Sequence, residues 1–193
     1  MKENLLEALA LEPIVAAAKS EEEFERCLTC KSKVVFLLFG DVCTVGDLVE
    51  RVKSAGKIAV VDLDLVEGLA AKNAAVDYIT SRTRADGIIS TKSAVIRYAK
   101  GKDLWTIQRY FLLDSRVLEN IALNSSTADI VEVLPGAIPK IIRHLADTTG
   151  KPIIASGLIL DKEDVAAALS AGAAAISSTN RDVWFSDQKE GEE

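Results

Sequence analysis

The feature that most limits what this chain can fold into is a repeat of shape. Short apolar runs of strand length alternate with helical segments eight times, at a spacing of roughly 22 residues. The runs are Pro13 to Ala18, Val34 to Gly40, Ile58 to Asp62, Gly87 to Thr91, Trp105 to Arg109, Ile130 to Leu134, Pro152 to Gly157 and Ala173 to Ser177. Ser20 with Glu23 three residues on is a capping-box pattern and opens the first intervening helix. Further helices are predicted over Thr44–Ala55, Ala71–Arg82, Ser93–Lys100 and Ser115–Asn124. Pro139 opens the next, which Gly150 ends; Lys162–Ala171 follows, and a short helix lies around Asp182–Trp184. A short amphipathic helix up to Glu12 precedes the whole series.

A helix after each strand returns the chain to the strand's starting edge, so the sheet is expected to be parallel. Eight units with no reversal of pattern favour an α/β fold closed into a (β/α)8 TIM-type barrel. The runner-up, a flavodoxin-like or Rossmann sheet, lacks a G-x-G-x-x-G opening the helix after its first strand. Such barrels usually run to ~250 residues, so a chain of 193 must have short loops. One barrel over residues 1–185 is expected, followed by an acidic tail at 186–193.

Hydrophobic residues make up 49% of the chain and aromatics 5%, so Ala, Val and Ile must fill the interior. That suits parallel strands covered on both faces. The net charge of −6 gives no long-range help towards nucleic acid or anionic lipid, so any such contact needs a local patch. Glu3 and Glu7 break up the first apolar stretch, which lacks a signal peptide's basic flank. No window approaches the roughly 20 apolar residues of a membrane span. A cytoplasmic protein without a membrane partner is expected. Cys27, Cys30 and Cys43 are an odd set for a secreted disulfide framework. The C-x-x-C of Cys27 and Cys30 closes a helix, the wrong end for activating a thiol. The single histidine, His144, is far from them and in a helix facing away from the functional rim, which argues against zinc and against histidine catalysis. Free, partly buried thiols are expected, with no metal and no cofactor.

In barrels of this kind function sits at the C-terminal ends of the strands. Those ends supply Asp41, Asp62, Asp64, Thr91, Lys92, Gln108, Arg109, Glu132, Gly136, Ser156, Gly157, Ser177, Ser178, Thr179 and Asn180. The last two units have the form of a phosphate site. Gly157 lets backbone N–H groups approach an anion. Ser177 to Asn180 leads into a short helix whose positive end can face it; the bland alternative is a tight turn with an N-cap. Glu132, in a buried strand, either binds ligand hydroxyls, acts as a general base, or pairs with Arg109 or Lys92. Lys92 could contact phosphate, form a Schiff base, or be solvated at a helix start. Asp62 and Asp64 could be an acid/base or metal pair, though loop capping fits them better. Residues 81–116 hold eight basic side chains against three acidic ones. Such a window is either a polyanion footprint or a solvated helix face. Arg97, Lys100, Lys102 and Arg116 are its RNA-contact candidates.

Several of these segments carry a family likeness. Asp62-Leu-Asp-Leu-Val-Glu-Gly68, Asp86-Gly-Ile-Ile-Ser-Thr-Lys92 and Gln108-Arg-Tyr-Phe-Leu-Leu-Asp114 are three of them. Glu132-Val-Leu-Pro-Gly-Ala-Ile-Pro139 and Ser177-Ser-Thr-Asn-Arg-Asp-Val-Trp184 are two more. Together they resemble the glycerol-3-phosphate-responsive transcription antiterminators of bacterial glycerol-uptake operons, from about the second strand to Trp184. The resemblance implies a barrel with a non-enzymatic role, which senses glycerol 3-phosphate and acts on leader mRNA to prevent premature termination. It implies phosphate held by Gly157, Ser178, Thr179 and Asn180, with Lys92 or Arg109 adding charge, and glycerol hydroxyls met by Asp62 and Glu132. Gly-Gly is the family pattern after the seventh strand, whereas this chain has Ser156-Gly157. The alternative is an isomerase or lyase acting on a small phosphorylated metabolite, with Glu132, Lys92 and Asp62 on one rim. Oligomeric state is left open, a homo-oligomer included.

Overall fold

A computed structural model describes residues 4–185; the tail expected at 186–193 lies outside the described residues. Each apolar run forms a strand: β1 (Ile14–Ala18), β2 (Val34–Leu37), β3 (Ile58–Asp62), β4 (Gly87–Ser90), β5 (Trp105–Phe111), β6 (Ile130–Leu134), β7 (Ile153–Ser156) and β8 (Ala175–Ser178). All pair in parallel and in chain order, and β8 closes on β1, with Ile14 beside Ile176 and Ala16 beside Ser178. The fold is a (β/α)8 TIM-type barrel.

The helices are α1 (Leu5–Leu11), α2 (Glu21–Thr29), α3 (Val45–Ser54), α4 (Asn73–Arg82), α5 (Ser93–Ala99), α6 (Ser115–Asn124), α7 (Pro139–Thr149), α8 (Lys162–Ser170) and α9 (Arg181–Trp184). Several boundaries differ from expectation: β2 ends at Leu37 instead of Gly40, and β5 runs on from Arg109 to Phe111. The fourth helix starts at Asn73 because Lys72 is extended. β8 starts at Ala175 because the Ala173 N–H still donates to Ala168 O, 3.1 Å away, in the last turn of α8.

Side chains alternate across each strand. Val15, Val34, Ile58, Ile107, Ile130 and Ile154 point into the barrel and pack as one cluster. Their neighbours Ala16, Val35, Ala59 and Ile88 face the helix layer in another. Leu5 and Leu9, one turn apart on α1, join the interior cluster and close its N-terminal end. Continuing the inward parity towards the C-terminal ends brings Asp62, Arg109, Glu132 and Ser156 after Val60, Ile107, Ile130 and Ile154. An apolar barrel therefore ends in a polar floor.

The remaining buried charges are structural. Lys53 and Asp86 pair at 2.8 Å near the N-terminal ends of the strands, and Asp86 also accepts the Ala59 N–H. The Lys57 ammonium donates to the carbonyls of Cys27 (2.8 Å), Cys30 (2.6 Å) and Ser32 (2.8 Å), so it caps the end of α2. Cys27 and Cys30 are buried and Cys43 exposed. Burial, reinforced by Cys30, pushes the Cys27 thiol up to about 12, which leaves it inert near neutral pH. No group of three or more His, Cys, Asp or Glu that could hold a metal, and no helix long and apolar enough to cross a membrane, occurs among the described residues.

Candidate functional site

At the C-terminal mouth a cavity of about 270 Å³ opens between the ends of β5–β8. That is near the small end of the roughly 300–1,000 Å³ typical of ligand clefts and suits a metabolite. Its floor is built by register: Arg109 on β5 lies beside Glu132 on β6. Arg109 Nε donates to Glu132 Oε2 at 2.7 Å, and its Nη1 donates to Asp62 Oδ2 on β3, two strands away. Ser156 Oγ donates to the second Glu132 oxygen, also at 2.7 Å. Asp62 is fully buried and Arg109 is 7% exposed, so the group sits in a weakly screening interior. Three guanidinium donors remain, two of them on Arg109 Nη2, which takes no acceptor among the described residues, and Arg109 lines the cavity.

Burial raises the Asp62 carboxyl from 3.8 to about 6, against the pull of Arg109. Burial works against the Arg109 charge too, but Glu132 and Asp62 carry it above its ordinary value.

The wall opposite the floor is the loop between β7 and α8 together with the residues after β8. Gly157 has φ +70° and Leu158 φ 56°, so two successive residues are left-handed and the chain curls over the cavity. The backbone N–H groups of Gly157, Leu158, Ile159 and Thr179, and the Thr179 hydroxyl, have no acceptor among the described residues; all four residues line the cavity. Clustered N–H groups of this kind suit an anion. Asn180 is different. Its Oδ1 accepts the Asp182 N–H at 3.0 Å, its Nδ2 donates to Leu160 O at 2.7 Å, and its own N–H donates to Ser178 Oγ at 3.0 Å. It ties α9 to the β7–α8 loop.

The structure therefore gathers Arg109, Glu132, Ser156, Gly157, Ser177, Ser178, Thr179 and Asn180 around one cavity. It does not bring Lys92 there. Lys92 is the exposed N-cap residue of α5, beyond the last residue of β4, where strand parity no longer aims a side chain inward. Asp62 lies beneath Arg109 and does not line the cavity. Gly136 packs instead of binding: a Cβ there would lie 2.6 Å from the Ser156 nitrogen and 2.8 Å from the Ala155 carbonyl carbon. Gly136→Ala is expected to lose about 1–3 kcal/mol by overpacking, read from urea unfolding.

Asp64 and Asp41 cap loops. Asp64 accepts from Ser90 Oγ (2.8 Å) and Thr91 Oγ1 (2.7 Å). Asp41 accepts the N–H groups of Cys43 (2.7 Å) and Thr44 (2.9 Å), which hold it below its ordinary value. Gln108 faces away from the cavity and donates to Thr91 O at 2.8 Å. His144 is exposed on α7.

The basic window is largely neutralised. Arg109 is inside the barrel, Arg84 pairs with Glu50 (2.9 Å), Lys102 with Asp77 (2.9 Å) and Arg116 with Asp114 (3.0 Å). Arg97 and Lys100 remain exposed around the end of α5. None of the strand-end candidates covers the apolar lining of Leu38, Leu134, Leu158, Ile159 and Leu160. The uncharged run Gly157 to Leu160 after a strand end was its only signal.

Residues 14–184 match the family described as Glycerol-3-phosphate responsive antiterminator. The chain is 35% identical over 182 residues to the uncharacterized protein YgcP of Escherichia coli K12, covering 93% of this chain and 95% of that protein. The crystal structure of the glycerol uptake operon antiterminator regulatory protein of Listeria monocytogenes is similar, with a TM-score of 0.85 at 31% identity over 90% of this chain and 95% of that one. So is that of a glycerol uptake operon antiterminator-related protein of Thermotoga maritima, at TM-score 0.78 and 33% identity over 89% and 96%. With the match spanning all eight strands, the chain belongs to the glycerol-3-phosphate responsive antiterminator family.

Proposed function

We propose that this chain senses glycerol 3-phosphate in the cytoplasm and, so informed, binds leader mRNA of glycerol-metabolism genes to cause antitermination. The carrying observation is the two-ended cavity, with unused backbone N–H groups on one wall and a hydrogen-bonding floor of Arg109, Glu132 and Ser156. The phosphate takes the N–H groups of Gly157 to Ile159 and Thr179, and the glycerol hydroxyls meet Glu132 and the Arg109 Nη2 donors. Ser177 and Ser178 line the cavity between the two ends. Asn180 holds the wall in place through Leu160.

The isomerase or lyase reading has less support. It needs Lys92 and Asp62 at the ligand, and one is outside the cavity while the other is engaged beneath Arg109. Arg97 and Lys100, exposed around the end of α5, are the proposed RNA contacts.

Calorimetric titration with glycerol 3-phosphate tests the sensor. Thr179→Ala is expected to weaken binding roughly tenfold by removing one hydrogen bond to a charged group; unchanged affinity would move the phosphate elsewhere. Gel-shift titration with the operon leader RNA, with and without the ligand, tests the output. No shift in either state at moderate salt rules out the RNA step.

A further inference from the structure

The cavity floor holds two carboxylates and one cation. Asp62 from β3 and Glu132 from β6 share the guanidinium of Arg109 from β5. Ser156 from β7 donates to Glu132, and the Asp64 N–H donates to Asp62 at 2.9 Å. Neither lysine nor histidine lines the cavity. A group arriving at the floor meets three things: the unused Arg109 Nη2 donors, carboxylate oxygens with lone pairs to spare, and a net negative charge.

An alcohol satisfies all three. Its oxygen accepts from Arg109 and its O–H donates to Glu132. A carboxylate has no proton to donate. It would add a third negative group to a single guanidinium, within an interior where like charges are poorly screened. A repulsive element of this kind separates ligands that share every other contact.

We infer that Glu132 and Asp62 are specificity determinants, admitting small phosphate esters whose far end is an alcohol and excluding those whose far end is a carboxylate. The inference rests on the ligand reading above and adds which phosphorylated three-carbon metabolites the sensor ignores. In a cell holding many such esters, that discrimination is what makes the cavity report on a polyol phosphate.

The test is calorimetry on the full chain with glycerol 3-phosphate and, separately, 3-phosphoglycerate. These share three carbons and one phosphate ester and differ in the far-end group. The acid is expected to bind at least about 100-fold more weakly. Glu132→Gln keeps a polar side chain between Arg109 and Ser156 but removes one negative charge. It is expected to narrow that ratio to less than about tenfold. Asp62→Asn, with the same expected narrowing, replaces it if thermal unfolding shows Glu132→Gln unfolded. Binding of both esters within about threefold would overturn the inference and leave the ligand reading standing. A ratio unchanged in both variants would overturn it too. If neither ester binds the unaltered chain, both readings fall together.

Discussion

Arg109→Leu is expected to lose about 3–5 kcal/mol of folding stability, the largest effect of any single change in the floor. For a chain of this size that corresponds to a melting temperature roughly 10 °C lower. The loss is not that of two attractive contacts. Leucine leaves Asp62 and Glu132 buried with no cation between them, and uncompensated buried charge is what dominates such deficits. The deficit should shrink at acid pH, where protonation removes the stranded charge. Thermal unfolding of both proteins at pH 5 and pH 7.5 checks this. A loss under about 1 kcal/mol, or one independent of pH, contradicts the account.

The pH dependence of the unaltered chain should carry the second large effect, again through Asp62. Its folded value is raised from 3.8 to about 6, so the folded state holds the proton more tightly than the unfolded chain. Stability from this group is fully present below about 3.8 and is lost as pH rises through about 6. The shift corresponds to about 3 kcal/mol at 1.36 kcal/mol per unit, without a discount for screening because the side chain is fully buried. Asp62→Asn cannot make this transition. Between pH 4 and pH 6.5 its stability curve should lack the fall that the unaltered chain shows, by urea unfolding at each pH. Parallel curves would mean that Asp62 keeps an ordinary carboxyl behaviour.

The barrel was legible because each strand signal was local: an apolar run, a turn, and a capped helix, eight times over. Much of the cavity's composition followed from it, since residues at strand ends gather at one mouth once the barrel closes. Glu132 shows where this stopped. Its sequence offered Arg109 or Lys92 as a partner, and neighbouring register on β5 and β6 decided for Arg109. The contact from Arg109 to Asp62 passes over β4 to link strands that do not pair, so no spacing rule reaches it. Lys92 was misplaced because β4 ends at Ser90 and the side-chain alternation ends with it. Leu158 and Leu160 escaped because their place over the cavity depends on two left-handed residues in succession, one of them a leucine. Gly136 looked like a ligand residue, and only the 2.6 Å approach of another strand's backbone shows that it is a spacer.

The packed interior, closed at its N-terminal end by Leu5 and Leu9, also bears on traffic. With the barrel interior beneath the cavity filled by packed side chains, a small molecule arrives and departs through the C-terminal mouth. The curl of chain from Gly157 to Leu160 stands at that mouth, moored by Asn180, so it would set the residence time of a molecule bound there. Loosening the mooring should hasten both arrival and escape, even where the balance between them stays the same.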